Sequence, residues 1–312
     1  MPIGQLASPD RPSPAAHGTE QDHGKRLGQR QTDAEGGIGV SDTTADDGVI
    51  DLELDRAHSA RMYDYYLGGH TNFPADREAA GRAMAVFPSL LVTARANRRF
   101  MHRATRHLAL GGMRQFLDVG TGIPTSPNLH EVAQEVAPES RVVYADNDPI
   151  VLAHAQALLR SHPAGRTAYA HADVTDPAAL LAAPEVRETL DLERPVALSL
   201  NALLHFVPGR TRAHEIVEFL KDALPSGSTL AISHVTPDFD PEGIARLVEA
   251  YRAAGTPGQA RTWEEFTRFF DGWELLEPGV TTSHRWRPDA GDEFGGVTDA
   301  EAACYAAVAR KP

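Results

Sequence analysis

Residues 116–125, Phe-Leu-Asp-Val-Gly-Thr-Gly-Ile-Pro-Thr, constrain the fold more than any other stretch of the chain. An apolar run ends on Asp118, and Gly120 and Gly122 follow with one residue between them. This is how a buried strand turns tightly into a loop that a ligand can approach without meeting a Cβ. A dinucleotide site would continue to a third glycine that lets the following helix pack closely and set its N-terminus under the pyrophosphate. Here Pro124 and Thr125 take those places, and Asp118 would put a negative charge beside the phosphates. An acid at that position suits a cationic ligand instead, such as the amine and sulfonium of S-adenosylmethionine.

The rest of the chain supports a parallel sheet. From residue 115 onward short apolar runs alternate with helical periodicity, as in βα units. Strands are expected at 115–119, 141–146, 167–172, 195–200, 229–234, 273–280 and 304–309, and helices near 128–137, 149–161, 177–183, 211–223, 241–254 and 262–270. Pro149 and Pro177 suit first helical turns, and Thr262 with Glu265 forms a capping box. Residues 51–110 read as an N-terminal helical cap or lid, followed by a single α/β domain over 111–312. In the cap, Val92, Ala96, Phe100, Ala104 and Leu108 form one apolar stripe, with Arg95, Arg98, Arg99, His102, Arg103 and Arg106 mostly on other faces.

Residues 1–50 are rich in Gly, Pro, Ser, Asp and Gln and too poor in apolar side chains to offset the entropy of ordering, so a disordered tail is expected. The net charge of −13 argues against a protein that wraps nucleic acid. An acid-free stretch from Ala79 to Leu117 nonetheless carries seven arginines; its helix 95–106 is read as a solvated face rather than an anion site, with an anionic small-molecule substrate beside 79–117 left open. Cys304 is the single cysteine among 312 residues, and no His or Cys spacing suits a metal, so no metal is expected. The absence of a membrane-length apolar run or signal-peptide layout makes a soluble, cytoplasmic protein the expectation.

Further polar residues recur at expected strand ends. Asp146, with Asn147 after it, closes the second strand, where a carboxylate can accept ribose hydroxyls. Asp173 and Val174 follow the third strand, suited to an adenine. Asn201 and His205 lie past the fourth, at the mouth where open α/β sheets bind ligands.

Asp118-x-Gly-x-Gly, Asp146, Asp173 and Asn201-Ala-Leu-Leu-His205, in this order, resemble a class I S-adenosylmethionine-dependent methyltransferase. A narrower resemblance is carried by Arg61-Met-Tyr-Asp-Tyr-Tyr-Leu-Gly-Gly-His-Thr-Asn-Phe-Pro-Ala-Asp-Arg77, Val143-Tyr-Ala-Asp-Asn-Asp-Pro149, Leu204-His-Phe-Val-Pro208, Phe269-Phe-Asp-Gly-Trp-Glu-Leu-Leu-Glu-Pro-Gly279 and Val308-Ala-Arg-Lys-Pro312. These resemble the S-adenosyl methyltransferase family long catalogued as a domain of unknown function. The resemblance spans about residues 55–312 and implies a Rossmann-like, seven-stranded, mostly parallel methyltransferase sheet, S-adenosylmethionine as cofactor and S-adenosylhomocysteine as product. His70-Thr71 stands where the family pattern leads one to expect Lys-Asp. The Asn/Asp-Pro-Pro-aromatic signature of enzymes that methylate nucleobase or glutamine amines is missing after the fourth strand.

On this reading Asp118, Gly120, Thr121 and Gly122 hold the amino-acid end of the cofactor, Asp146 and Asn147 the ribose, and Asp173 and Val174 the adenine. Asn201 borders the transferring methyl, and His205 is either a general base or a wall residue. Tyr63, Tyr66, His70, Asn72 and Phe73 are expected to form a lid or touch substrate, and Arg95 or Arg98 to meet the cofactor carboxylate. Methyl transfer to a small molecule is the leading function. The alternatives are a non-catalytic S-adenosylmethionine-binding or regulatory protein and a nicotinamide-dependent oxidoreductase, the latter disfavoured by Asp118 and Thr125.

Overall fold

A computed structural model describes residues 54–312 apart from Leu159 and Arg210; the tail expected over 1–50 lies outside the described residues. Helices α1 (Ser59–Tyr66), α2 (Pro74–Val86) and α3 (Leu90–Leu110) come first. The sheet region then runs β1 (Gln115–Val119), α4 (Leu129–Val136), β2 (Arg141–Asp146), α5 (Pro149–Leu158), β3 (Arg166–His171), α6 (Pro177–Ala182), α7 (Pro184–Thr189), β4 (Ala197–Asn201) and α8 (Arg212–Asp222). It closes with β5 (Thr229–Val235), α9 (Pro241–Ala253), α10 (Trp263–Thr267), β6 (Glu274–Leu275), β7 (Thr281–Thr282), α11 (Asp299–Ala302) and β8 (Cys304–Arg310).

Strand order is β3-β2-β1-β4-β5-β8-β6, with β7 also paired to β8. The β3-β2-β1-β4-β5 pairs are parallel and β8 is antiparallel to β5. The mostly parallel α/β sheet is therefore as expected, with one difference in detail. The single strand expected over 273–280 is instead two two-residue strands, β6 and β7, both against β8. Pro278, between them, has no amide to donate to a ladder, and Gly279 turns the chain at φ 79°.

Proline and capping residues start the helices where the sequence leads one to expect. Pro149 and Pro177 open α5 and α6, and the Thr262/Glu265 box opens α10. All five residues of β1 are buried, since the sheet is covered on both faces. One core joins Leu117, Val143, Leu198 and Ile232 to the side of α6–α8, and another joins Phe116, Tyr144, Ala197 and Val308 to α3 and α4. Helix α3 contributes Phe100, Ala104 and Leu108 to the second core, as its stripe implies, while Val92 is only partly covered.

The arginines of α3 are not a plain solvated face. Arg103 is buried, donating to Trp286 O at 2.8 Å and Ser283 O at 2.7 Å and pairing with Asp292 at 3.1 Å. Arg99 pairs with Glu293 and Arg106 with Asp289. The acid-free run is answered by acids some 180 residues later in the chain, a neutralisation that no local pattern shows.

Candidate functional site

The chain passes from β1 outward to β3 and then returns to β4 on the other side of β1. The carboxyl ends of β1 and β4 thus flank the point where such sheets open a crevice. A cavity of about 190 Å³ lies there, lined by the strand ends, by α1 and α3, and by α9.

The loop after β1 is built for close approach. Gly120 has φ 70° and Gly122 φ 68°, conformations that favour glycine. A Cβ on Gly120 would also lie 2.6 Å from Leu203 Cδ1, whereas one on Gly122 would meet nothing closer than 3.9 Å, so at 122 the requirement is conformational. The loop is held by Gly120 N–H to Ala145 O at 2.8 Å and Gly122 N–H to Asp146 Oδ2 at 2.8 Å. Asp146 Oδ1 accepts from Asp148 N at 2.9 Å, so this carboxylate already organises two loops while lining the cavity. Asn147, Asp173 and Val174 line the same end, with Asp173 Oδ1 accepting from Thr175 N at 2.8 Å.

Asp118 is buried beneath this loop. Thr121 Oγ1 donates to its carbonyl at 3.0 Å and lies 3.3 Å from Oδ2. Desolvation pushes its carboxyl up to about 6 against the opposing effects of Ser199 and Arg98. A carboxylate held this far out of water favours a cation beside it. Arg98 also lines the cavity: its Nη2 donates to Thr125 O and Pro127 O, fixing the turn before α4, while its Nε is buried without a partner.

Past β4, Asn201 Nδ2 donates to Ser199 Oγ at 2.7 Å, and its Oδ1 is buried without a partner. Ala202, at φ 51°, is held by its N–H to Ser233 Oγ at 2.9 Å. His205 lines the cavity with a partnerless Nδ1. Burial, and then the charge of Arg261, push its imidazole down to about 3, so it is neutral near pH 7. Arg261 is itself buried and clamps this segment, donating to Leu204 O at 2.9 Å and Val207 O at 3.0 Å and reaching His234 Nε2 at 2.7 Å.

The N-terminal helices supply the other wall. Tyr63 donates to Ala94 O at 2.9 Å and accepts from Asn97 Nδ2 at 2.9 Å, while the Tyr66 and Tyr251 hydroxyls lie 3.0 Å apart. Three residues of the expected lid or substrate contact lie elsewhere. His70, Asn72 and Phe73 do not line the cavity. Asn72 is buried against Asp64 Oδ2 at 2.8 Å and Gly69 O at 3.0 Å, which ties the loop to α1. Phe73 packs with Ala60 and Ile123 behind the glycine loop, and His70 is exposed. Arg95 is likewise exposed and outside the cavity, because it sits on the opposite side of α3 from Ala94 and Asn97.

Asn97, Tyr251 and Arg261 were not anticipated. Thr93, Asn97 and Met101 follow at four-residue spacing beside the apolar stripe, a signal that could have revealed Asn97. Tyr251 and Arg261 carry no local signal. Among the described residues no group of three or more His, Cys, Asp or Glu side chains could hold a metal, and no helix is long and apolar enough to cross a membrane.

A family model described as S-adenosyl methyltransferase matches residues 46–312. The chain belongs to that family. A DUF574 family protein from Streptomyces avermitilis MA-4680 is 54% identical, with a TM-score of 0.82 over 84% of this chain and 100% of that one. A candidate methyltransferase from Thermobifida fusca YX is 40% identical, with a TM-score of 0.77 over 83% and 97%. No curated protein matches the chain. Membership makes the protein an S-adenosylmethionine-dependent methyltransferase. The cavity fits that cofactor: a glycine cradle with no room for a Cβ at 120, a desolvated carboxylate at Asp118, and an orphaned acceptor on Asn201.

Proposed function

We propose that this methyltransferase acts on a small molecule enclosed between the N-terminal helices and the carboxyl ends of the strands. S-adenosylmethionine supplies an electrophilic methyl group. Asp118 and the Gly120–Gly122 loop would hold its amino-acid end, Asp146 and Asn147 its ribose, and Asp173 and Val174 its adenine. Asn201 and His205 would border the methyl group, with Tyr63 and Tyr66 against the acceptor. Arg98, whose Nη2 holds the 125–127 turn, would meet the carboxylate of the amino-acid end through its partnerless Nε.

The observation that carries this reading is the cavity at the strand ends, which Tyr63, Tyr66, Asn97 and Tyr251 line from the opposite side. Such a pocket admits a small acceptor, and a displacement at carbon gains most from in-line positioning. His205, neutral and without a partner at Nδ1, can accept a proton released by the acceptor. Incubation of the protein with methyl-labelled S-adenosylmethionine and a fractionated cell extract tests the reading. Label is expected in a low-molecular-mass product; label confined to protein or nucleic acid overturns it.

A further inference from the structure

The cavity divides along the sheet. Asp118, Asp146 and Asp173 belong to the β3-β2-β1 side, Arg98 is bound to the turn that follows β1, and His58 pairs with Asp148 at 3.1 Å on the same side. The other side lies over β4, β5 and β8, where Val235 and Cys304 mark the strand ends. Its walls are Tyr66, Phe87, Leu90, Leu247, Tyr251 and Phe206, most of them members of one apolar cluster that joins α1–α3 to α9. No Asp, Glu, Lys or Arg lines the cavity on that side.

The polar atoms there are few and uncharged. Burial pushes the Tyr251 hydroxyl up to about 12 and that of Tyr66 higher still, so both stay protonated. Their 3.0 Å contact uses one hydroxyl hydrogen and leaves the other available. Asn97 Oδ1 and His205 Nδ1 are buried with no partner, and Asn97 Nδ2 is already given to Tyr63. An amide oxygen only accepts, so a molecule filling this space must bring a donor or leave that atom unsatisfied. A charged molecule would shed its hydration with no counter-ion in the lining, since Arg261, behind His205, is committed to Leu204 O, Val207 O and His234. An aromatic one would gain both area and edge-to-face contacts with Tyr66, Phe206 and Tyr251.

Resting on the cofactor reading above, we propose that the acceptor is an uncharged aromatic molecule bearing a hydroxyl group, bound on the β4-β5-β8 side of the cavity and methylated on that hydroxyl oxygen. An oxygen lone pair forms the new O–CH₃ bond. The S–CH₃ bond of S-adenosylmethionine breaks with its electron pair left on sulfur, and the hydroxyl proton passes to His205 Nδ1 and then to water. A hydroxyl that is gaining a methyl group becomes strongly acidic as the C–O bond forms, so a weakly basic imidazole suffices.

Calorimetry on the protein saturated with S-adenosylhomocysteine, using 2-naphthol, 2-naphthoate and decahydro-2-naphthol as probes, tests this. The neutral aromatic alcohol is expected to bind on the order of ten-fold or more tighter than either of the others, and with labelled S-adenosylmethionine to yield its methyl ether. Equal or tighter binding of the carboxylate or the saturated alcohol, with S-adenosylhomocysteine still bound, overturns the acceptor class alone. Failure of S-adenosylhomocysteine to bind overturns the cofactor reading, and this proposal with it.

Discussion

Gly122 donates its amide hydrogen to Asp146 Oδ2 at 2.8 Å, joining the loop after β1 to the end of β2. The glycine is free to adopt φ 68°, and the carboxylate fixes it there. Sequence spacing places these residues 24 apart; the parallel pairing of β1 with β2 brings them together.

Gly120 should tolerate no side chain. In Gly120→Ala the methyl group meets Leu203, and the positive φ adds about 1 kcal/mol of backbone cost. Urea unfolding should show a loss of about 1–3 kcal/mol, and S-adenosylmethionine binding should be lost. An alanine variant that binds like wild type would contradict the close-approach account.

Asp118 couples binding to pH. Its carboxyl is raised from 3.8 to about 6 in the folded protein. Below that pH Asp118 is neutral; above it its carboxylate awaits a cation, so affinity for S-adenosylmethionine should rise through pH 6 and level off. For stability the sign is opposite. The folded state holds this proton more tightly than the unfolded one, so the contribution is present at low pH and is lost as pH rises from about 4 to 6. Asp118→Asn should therefore flatten the binding profile while unfolding no more easily than wild type at pH 8, checked by calorimetry and denaturant titration.

Arg261 holds the segment that carries His205. Arg261→Met removes the donors to Leu204 O, which keeps only the Val207 N–H, and to buried Val207 O, and takes the guanidinium from His234 Nε2. A destabilisation of about 2–5 kcal/mol is expected, read as a fall in the unfolding midpoint. A surface-like effect below about 0.5 kcal/mol would show that the clamp is dispensable.

His205 should remain neutral through most of the usable range. In a histidine NMR titration its imidazole resonances should not move between pH 8 and about 5, because burial and Arg261 hold it near 3. Titration at the ordinary value of about 6.5 would contradict the desolvated environment.

Local chemistry made much of this fold legible. β1, β2, β3, β4, β5 and β8 each carry apolar or β-branched residues bounded by turn residues, and the cofactor-side aspartates sit at or just past the ends of β1, β2 and β3. The segment 273–280 misleads because its apolar and aromatic content resembles a strand, while Pro278 and Gly279 divide it. The Tyr63–Phe73 run reads as one lid, yet only Tyr63 and Tyr66 line the cavity, since Asn72 and Phe73 are consumed in holding the loop. Residues that act across the fold were invisible for a different reason. Arg103 meets Asp292 and Tyr66 meets Tyr251 over separations of 189 and 185 residues, which only the folded topology defines.

The most direct test is calorimetric titration of S-adenosylmethionine into wild type and Asp146→Ala. Wild type should bind, and the variant, having lost two charge-assisted hydrogen bonds to the loops after β1 and β2 along with its own ligand contacts, should bind about 10–100-fold more weakly. Wild-type affinity no better than that of the variant would contradict the assignment of this cavity to the cofactor.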